Sequence, residues 1–207
     1  MTEIDVKQRS AEWFELRQTV SLTASRFGDA VGVGRGKPYH FLASLLSDDA
    51  SDSHSDDAGN GFTAHGVAFE PVLNECYQLL TGYVTRDSGF WVPSETDPLY
   101  NLVGASPDAK VYASVQGTRT CVGLVEYKAP VYQMYQEKAT VPHAIPRMYM
   151  AQMQGQMAVS GHQWCDFLAI CERSREIQLK RVYFNKAYWA LMTTKLMHFC
   201  QLLQVNI

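Results

Sequence analysis

Hydrophobic and polar positions follow two periods along the chain, and the change of period separates predicted helices from predicted strands. Helical spacing of apolar residues predicts helices over residues 11–17, 23–31, 39–46 and 65–81, with Ser10 and Thr23 as caps of the first two. Short apolar runs predict strands over 89–92, 102–105, 110–113 and 122–128. Beyond them the pattern predicts a helix from Pro146 to Gly161, a hairpin of 164–170 and 177–184, and a helix over 185–203 capped by Asn185. The expected fold class is α/β or α+β, with a central mixed sheet flanked by helices.

The predicted helix over residues 65–81 contains a proline. Its buried side is expected to carry Val72, Leu73, Cys76, Tyr77 and Leu80. Because Pro71 has no amide hydrogen and clashes with the preceding turn, the helix is expected to start near Glu70 or to kink there.

Length and composition indicate one domain. The 207 residues are 46% hydrophobic and 19% charged, which is enough apolar surface for a sizeable core. Residues 1–10 lack the pattern of a signal peptide, and no apolar run reaches the roughly 18 residues of a membrane span, so a cytoplasmic protein without a membrane partner is expected. The five cysteines form no CxxC pair, which favours reduced thiols and argues against a zinc or iron–sulfur site.

The net charge of −3 is unevenly distributed. Residues 47–61 contain five aspartates and no lysine or arginine, and this stretch is expected to be a mobile, solvated loop. Without those five charges, the rest of the chain carries a net charge of +2. This balance argues against a protein that coats DNA over its whole surface, but it permits one whose cations line a single channel.

The most informative motif is a carboxylate followed two residues later by a lysine. Glu126 and Lys128 flank one tyrosine at the end of the apolar run 121–125, and Asp108 lies upstream in a Ser-Pro-Asp triplet. Side chains two positions apart on a strand share a face, so Glu126 and Lys128 should point to the same side. Converging carboxylates bind a hard divalent cation, and a neighbouring ammonium stabilises developing negative charge. Together these groups suit metal-dependent hydrolysis of a phosphodiester.

Each of these residues also has a structural interpretation. Asp108 could be an ordinary turn residue, since proline and aspartate favour turns. Lys128 could simply neutralise Glu126, whose charge would be costly to bury alone. The metal-site hypothesis is preferred because it accounts for all three residues.

Five motifs, taken in order, resemble one known family. They are residues 8–17 with 22–25, then 66–71, 105–108, 126–130 and 149–154. Over residues 8–167 the chain is similar to the YqaJ-type viral recombinase nucleases, the phage lambda exonuclease relatives within the PD-(D/E)xK nuclease superfamily. The resemblance implies a restriction-endonuclease-like core and a single nuclease domain over residues 1–207.

The resemblance also implies an activity. It is a 5′→3′ exonuclease that digests one strand of linear double-stranded DNA and leaves a 3′ overhang for a single-strand annealing protein. The implied cofactor is Mg²⁺, with Mn²⁺ as a substitute, and the implied assembly is a ring-shaped homotrimer. Such a protein is phage or prophage encoded and acts in a bacterial host. The alternatives are an endonuclease or other strand-processing nuclease of the same superfamily, a non-catalytic DNA-end-binding module, and an interaction scaffold for an annealing protein.

Residue roles follow from the same resemblance. The implied metal ligands and catalytic residues are Glu70, Asp108, Glu126, the backbone carbonyl of Tyr127, Lys128 and Gln154. Gln154 is preferred over Gln152 as the amide that faces the site and orients water or the lysine. Glu70 could instead be a solvated residue, or one favoured by a helix N-terminus.

A second group of residues would bind DNA. Arg17, Ser25 and Ser106 are implied receptors of the 5′-phosphate, and Arg35 and Lys37 of the glycine loop are expected to contact the DNA backbone. The alternatives are a helix-end arginine, a capping serine and a solvated basic loop. The glycine loop lacks the Walker pattern and is not interpreted as a nucleotide site.

Three further observations stay open. Phe62 could be a wedge that parts the terminal base pair, although a loop anchor is the commoner role of such a residue. His65, His143 and His162 show no ligand spacing. Relatives often carry a basic residue after the E-x-K motif, whereas here no arginine occurs until Arg147, and Lys138 is the available substitute.

Overall fold

The computed structural model describes residues 1–47, 61–135 and 145–205, and the side chains of these residues except those of 61–63. The helices are α1 (Ala11–Gln18), α2 (Phe27–Ala30), α3 (Pro38–Leu46), α4 (Gly61–Thr81), α5 (Arg147–Ser160) and α6 (Lys186–Val205). The strands are β1 (Thr2–Ile4), β2 (Leu22–Thr23), β3 (Val84–Asp87), β4 (Phe90–Val92), β5 (Val103–Gly104), β6 (Ala109–Val115), β7 (Thr118–Lys128), β8 (Trp164–Ile170) and β9 (Ile177–Tyr183). The aspartates of the acidic stretch, Lys138, His143 and the side chain of Phe62 lie outside the described part, and the expectations about them remain predictions.

A five-stranded mixed sheet forms the centre of the fold, in the order β3-β6-β7-β8-β9. Strands β7 and β8 are parallel, and the other neighbouring pairs are antiparallel. Because two parallel strands cannot be joined by a tight turn, the chain passes from the end of β7 to the start of β8 through α5. A mixed sheet with helices packed against it is the architecture predicted from the sequence.

Helix α5 packs against one face of the sheet and is covered on its other side by helices. Met153 and Met157 pack with Phe167 of β8. On the far side Gly155 allows Phe27 of α2 to approach, because a Cβ there would collide with the phenyl ring. The helix is therefore buried along most of its circumference, and its polar side chains need partners inside the protein.

Helix α4 packs against the opposite face of the sheet through a narrow strip. Leu73 and Tyr77 are 1% and 0% exposed and pack with Val125 of β7. The predicted buried side was partly wrong, since Val72 and Leu80 are 44% and 52% exposed. The sheet meets only the strip around Leu73 and Tyr77, so these two neighbours reach solvent.

The same helix corrects the expectation about its start. Helix α4 begins at Gly61 and runs through Pro71, so it does not start near Glu70. The flanking turns therefore continue the helix although Pro71 cannot donate a backbone hydrogen bond.

Several predicted helix ends are confirmed. Ser10 Oγ accepts from the Trp13 amide at 3.2 Å, and Asn185 Oδ1 accepts from the Tyr188 amide at 2.9 Å. Pro146 directly precedes α5, and Gly161 ends it with a φ of 80°. The predicted helix over 23–31 is divided into a 3-10 turn, Ala24–Arg26, and the short α2.

Three short strands were missed by the sequence pattern. They are β1, which pairs with β4, β2, which pairs with β5, and β3 at the edge of the main sheet. Each has at most four residues, too few for a periodic pattern to be recognised. All five cysteines are free thiols. Among the described helices, none combines the length and the hydropathy needed to cross a bilayer.

Candidate active site

The hairpin of β6 and β7 brings Asp108 and Glu126 together. Asp108 directly precedes β6, and the register places Ala109 opposite Val125. Two residues beyond Val125, the Tyr127 amide donates to Asp108 Oδ2 at 2.6 Å. This hydrogen bond holds the Asp108 carboxylate against the end of β7, next to Glu126.

Glu126 is completely buried and accepts hydrogen bonds through both carboxylate oxygens. Oε1 accepts from Lys128 Nζ and, at 2.7 Å, from Gln152 Nε2. Oε2 accepts from Gln156 Nε2 at 2.7 Å. These donors offset the cost of burying the charge, and the contact with Lys128 agrees with the shared strand face that the sequence predicts.

Burial and neighbouring charges shift the pKa values of Asp108 and Lys128. Burial, and then the charge of Glu126, raises the pKa of Asp108 well above its usual range, although Lys128 opposes the shift. Burial alone would lower the pKa of Lys128, but the charges of Glu126 and Asp108 outweigh it and raise that pKa. Lys128 is therefore an ammonium at neutral pH, and the Asp108 carboxyl would gain from further positive charge nearby.

Glu70 reaches the same region from α4. Its Oε2 accepts from Arg9 Nη2 at 2.7 Å. The charge of Glu70 contributes to the raised pKa of Asp108, so the two carboxyl groups lie within electrostatic reach of one another. Arg9 adopts a φ of 66°, an uncommon conformation for a residue other than glycine, directly before the cap of α1.

With the exception of Gln156, these groups line one open cavity of about 780 Å³. Its wall includes every residue assigned to the site from the sequence except Gln154: Arg17, Ser25, Arg35, Lys37, Glu70, Ser106, Asp108, Glu126, Tyr127 and Lys128. The acidic residues come from α4 and the sheet, and the basic ones mainly from the N-terminal segment.

A contact with an aromatic ring orients Arg17, one of the basic residues of the cavity wall. Arg17, in the last turn of α1, lies over the Trp13 ring, with its guanidinium carbon 4.3 Å from the ring centre. The indole of Trp13 donates to Ser106 Oγ at 2.8 Å. Ser106 lies two residues before Asp108, so this hydrogen bond ties α1 to the segment between β5 and β6 that carries Asp108.

Further cations flank the 3-10 turn and the glycine loop. Ser25 Oγ lies 3.2 Å from Thr23 Oγ1. Arg26 pairs with Asp29 at 3.2 Å, and the Arg35 amide donates to the same carboxylate at 3.2 Å. Asp29 therefore anchors the loop that presents Arg35 and Lys37 to the cavity.

The sequence of the chain matches the model of one protein family. The model of the YqaJ-like viral recombinase domain matches residues 12–163. The chain belongs to this family. The family and the fold class predicted from the sequence are thereby confirmed.

Solved structures agree with the YqaJ assignment. The chain is similar to an alkaline exonuclease, LHK-Exo from Laribacter hongkongensis, with 25% identity, a TM-score of 0.69, and 95% of this chain and 93% of that one covered. LHK-Exo in complex with dAMP is similar at 25% identity and a TM-score of 0.70, with the same coverage. A phage related exonuclease from Haemophilus somnus 129PT shares the fold at 12% identity, with a TM-score of 0.59 and 93% and 97% covered. No curated protein matches the chain.

The expected orientation of Gln154 was wrong. In this YqaJ-family chain Gln154 Nε2 donates to the Tyr183 carbonyl at 2.9 Å, and its Oε1 accepts from the Asn185 amide at 2.8 Å. Gln154 thus fastens the junction of β9 and α6. Gln152 lines the cavity instead, because it lies on the face of α5 that is turned toward Glu126.

The donor chemistry of the cavity fits a hard divalent cation. Asp108 and Glu126 offer carboxylate oxygens, and a bound cation would oppose the rise in the pKa of Asp108 that burial and the charge of Glu126 cause. Within the described part, no three candidate side chains form a ready-made metal cage, and Glu70 is turned toward Arg9. Mg²⁺ is bound through one or two carboxylates while it keeps several waters, so this sparse set of ligands suits it.

Sequence reasoning missed Arg9, Arg26 and Gln156, and it ranked Gln152 below Gln154. Arg9 and Arg26 line the wall and add two cations to those assigned from the sequence. Gln152 and Gln156 hold Glu126, and their spacing of four residues was a signal for a shared helix face. The two arginines left no comparable signal, since their contacts depend on the tertiary fold.

Proposed function

We propose that this protein is a Mg²⁺-dependent 5′→3′ exonuclease that digests one strand of linear double-stranded DNA and leaves a 3′ overhang. The assignment as a DNA exonuclease rests on the match to the YqaJ-like family and on the similarity to an alkaline exonuclease. The metal, the polarity and the use of the overhang are the finer part of the proposal.

One observation carries this proposal. The residues suited to hydrolysis, Asp108, Glu126 and Lys128, share a single cavity with the phosphate-binding candidates Arg17 and Ser106. A DNA end bound by its phosphate at Arg17 would therefore lie in the same space as the carboxylates. This arrangement supports cleavage at a fixed distance from an end.

Asp108, Glu126 and the backbone carbonyl of Tyr127 would hold the metal, with Glu70 as a further ligand if it leaves Arg9. Mg²⁺ bound there supplies Lewis-acid activation of water and of the scissile phosphate. Mn²⁺, which has similar oxygen preferences, is expected to substitute.

Lys128 acts in this proposal as a permanent hydrogen-bond donor. Its raised pKa keeps Nζ protonated, so it stabilises negative charge at a phosphate oxygen instead of accepting a proton from water. Gln152 takes the positioning role first given to Gln154. By donating to Glu126 Oε1 beside Lys128, it fixes the carboxylate that both of them contact.

The 5′-phosphate would bind between α1 and Ser106. Arg17 can offer a bidentate contact, and Trp13 holds its guanidinium in place by stacking. Ser106 accepts from the Trp13 indole and so keeps its own hydroxyl hydrogen for a phosphate oxygen. Ser25 would add a second hydroxyl, and Arg35 and Lys37 would follow the backbone of the DNA. Since LHK-Exo forms a complex with dAMP, release of mononucleotides is the expected outcome for this chain.

We further propose a ring-shaped homotrimer that delivers its overhang to a single-strand annealing protein. Non-specific DNA affinity comes mainly from neutralised phosphates, and a net charge of −3 provides little of it. A closed ring retains the duplex by topology, so weak contacts suffice. The substrate is DNA in a bacterial host, which places the protein in the cytoplasm there.

The test is digestion of linear duplex DNA labelled at either end. With Mg²⁺, the strand with the labelled 5′ end should release mononucleotides first, and a 5′-phosphate should accelerate this release. Supercoiled circles should stay intact, and Asp108→Asn should be inactive on every substrate. Cleavage of the circle would favour an endonuclease, and an active Asp108→Asn variant would overturn the proposed site.

A further inference from the structure

The turn between β8 and β9, residues 171–176, lies against the segment that follows the E-x-K motif. Because β7 and β8 are parallel neighbours, both strands end at the same edge of the sheet. The Glu172 amide donates to the Pro130 carbonyl at 3.0 Å. The Arg173 amide donates to the Val131 carbonyl at 3.1 Å. Pro130 and Val131 line the nuclease cavity, so these hydrogen bonds fix the turn to the rim of that cavity.

The side chain of Arg173 is held on an aromatic ring beside the cavity. Its guanidinium carbon lies 4.7 Å from the centre of the Tyr132 ring. Tyr132 directly follows Val131 and is 59% exposed, and Arg173 is exposed as well. Within the described residues, no carboxylate pairs with the Arg173 guanidinium. Its N–H groups can therefore donate to a ligand that arrives from solvent.

The two acidic side chains of the same turn make contacts elsewhere. Glu172 Oε2 lies 3.7 Å from His65 Nε2 of α4. Glu176 Oε2 accepts from the serine hydroxyl of the turn at 2.6 Å. Arg173 thus places a positive charge beside residues 129–135, a rim segment that contains no lysine or arginine of its own.

The distance from the carboxylates limits which part of a DNA substrate this charge can reach. Tyr132 follows Lys128 by four positions, and an extended chain of that length spans at most about 14 Å. Phosphates of one DNA strand recur about every 3.4 Å along the helix axis. Arg173 therefore lies within several nucleotides of the proposed cleavage point.

We propose that Arg173, positioned by Tyr132, binds a backbone phosphate of the DNA at the rim of the cavity. This inference rests on the proposed function, because it needs DNA in the cavity. The guanidinium fork matches two phosphate oxygens, and stacking on Tyr132 covers one face of the guanidinium while its N–H edge stays exposed. A phosphate contact carries no sequence information, which suits an enzyme that digests DNA of any sequence.

The test measures the affinity for a short 5′-phosphorylated duplex over a range of salt concentrations, with EDTA present to prevent cleavage. Arg173→Ala should weaken binding by about three- to tenfold. Its plot of log K against log salt should become shallower by about 0.9, the value for one lost phosphate contact. Arg173→Lys should keep the wild-type slope, since it keeps the charge, but it should recover only part of the affinity.

Two further variants separate the contact from a general effect of charge. Arg119→Ala removes an exposed arginine at the opposite end of β7 from Lys128, and it should change neither the affinity nor the slope. Tyr132→Leu should weaken binding less than Arg173→Ala, because the charge remains but the guanidinium is no longer held. Melting temperatures close to that of the wild type would show that these surface variants are folded.

Unchanged affinity and salt slope in Arg173→Ala, beside a wild type that digests linear duplex, would show that this inference alone is wrong. An equal loss of affinity in Arg119→Ala would also contradict it, since the effect would then come from net charge. A wild type that digests no linear duplex would refute the proposed function, and the inference with it.

Discussion

Three glutamines on α5 show how the role of a residue depends on its place around a helix. Gln152 and Gln156 are four residues apart and share one face, whereas Gln154 is rotated by about 200° from Gln152. The first two donate to Glu126, and Gln154 instead bonds the Tyr183 carbonyl and the Asn185 amide. The position of each glutamine around the helix therefore decides whether its side chain contacts Glu126 or the junction of β9 and α6.

Leucine substitutions should separate the two roles. Gln152→Leu should lower the rate of duplex digestion by about tenfold or more, because a freed carboxylate no longer holds its geometry. Gln154→Leu should leave the rate of the folded enzyme nearly unchanged, but it should cost about 1–3 kcal/mol of stability since two backbone groups lose their partners. Rates and denaturant unfolding of both variants provide the check. Equal activity losses would show that Gln154 also acts in the site.

The raised pKa of Asp108 makes a prediction about the metal-free protein. A group whose folded pKa lies above its unfolded value stabilises the fold fully below the unfolded pKa, and this contribution is lost as pH rises through the folded pKa. With EDTA present, the wild type should therefore lose stability from mildly acidic to alkaline pH more steeply than Asp108→Asn. The variant keeps an oxygen for the Tyr127 amide and cannot ionise.

Calorimetry of both proteins over this pH range measures the effect. As pH rises, the melting temperature of Asp108→Asn should exceed that of the wild type by a margin that grows by a few degrees. Added Mg²⁺ should reduce this difference. Parallel pH profiles of the two proteins would mean that burial of the Asp108 carboxyl beside Glu126 has no consequence for folding.

Elements, in turn, position the phosphate-binding candidates. Helix α1 is fixed at one end by the Ser10 cap and along its side by the Trp13–Ser106 hydrogen bond. Its last turn then presents Arg17, already stacked on Trp13, to the cavity. Helix α1 thereby fixes the position of Arg17, and so the distance at which a bound DNA phosphate would lie from the carboxylates.

Arg17→Ala should therefore abolish most of the preference for a 5′-phosphate. A charge-assisted bidentate contact contributes about 1.5–3 kcal/mol, so the ratio of rates on phosphorylated and hydroxyl ends should fall by roughly tenfold or more. Arg17→Lys should recover only part of it, because an ammonium cannot make the paired contact. Arg86→Ala is the matched control, since Arg86 also stacks on an aromatic ring but does not line the cavity. An unchanged ratio in Arg17→Ala would make Arg17 a purely structural residue.

The elements that could be predicted from the sequence were those whose signal is local. Strand alternation placed Glu126 and Lys128 on one face, and the caps Ser10 and Asn185 marked helix starts correctly. The pairing of Arg9 with Glu70, by contrast, joins residues 61 positions apart through a backbone conformation that no periodicity encodes. The expectation that α4 starts near Glu70 was wrong, since the helix runs from Gly61 through Pro71, which the local rule for helix ends does not foresee.

For the whole molecule, the small net charge leads to a prediction about assembly. A monomer with few free cations would release DNA after few cuts, whereas a ring with heterologous interfaces that close would remain threaded. Light scattering should therefore report about three times the 23.3 kDa chain mass. Digestion of long duplexes should also continue after a trap of competing DNA is added. A monomer that still digests without dissociating would contradict the ring.

The wide separation of the cavity residues along the chain has a consequence for synthesis. Trp13 bonds Ser106 across 93 positions, and Glu126 receives Gln156 from 30 positions later, through the crossover helix. Long-range contacts form only after the intervening chain has been ordered. A nascent chain that ends just past Glu126 contains Asp108 and Glu126 but not the two glutamines that donate to Glu126. If the proposed site is correct, we expect nuclease activity to begin only after α5 has been translated, so that incomplete chains do not cut the DNA around them.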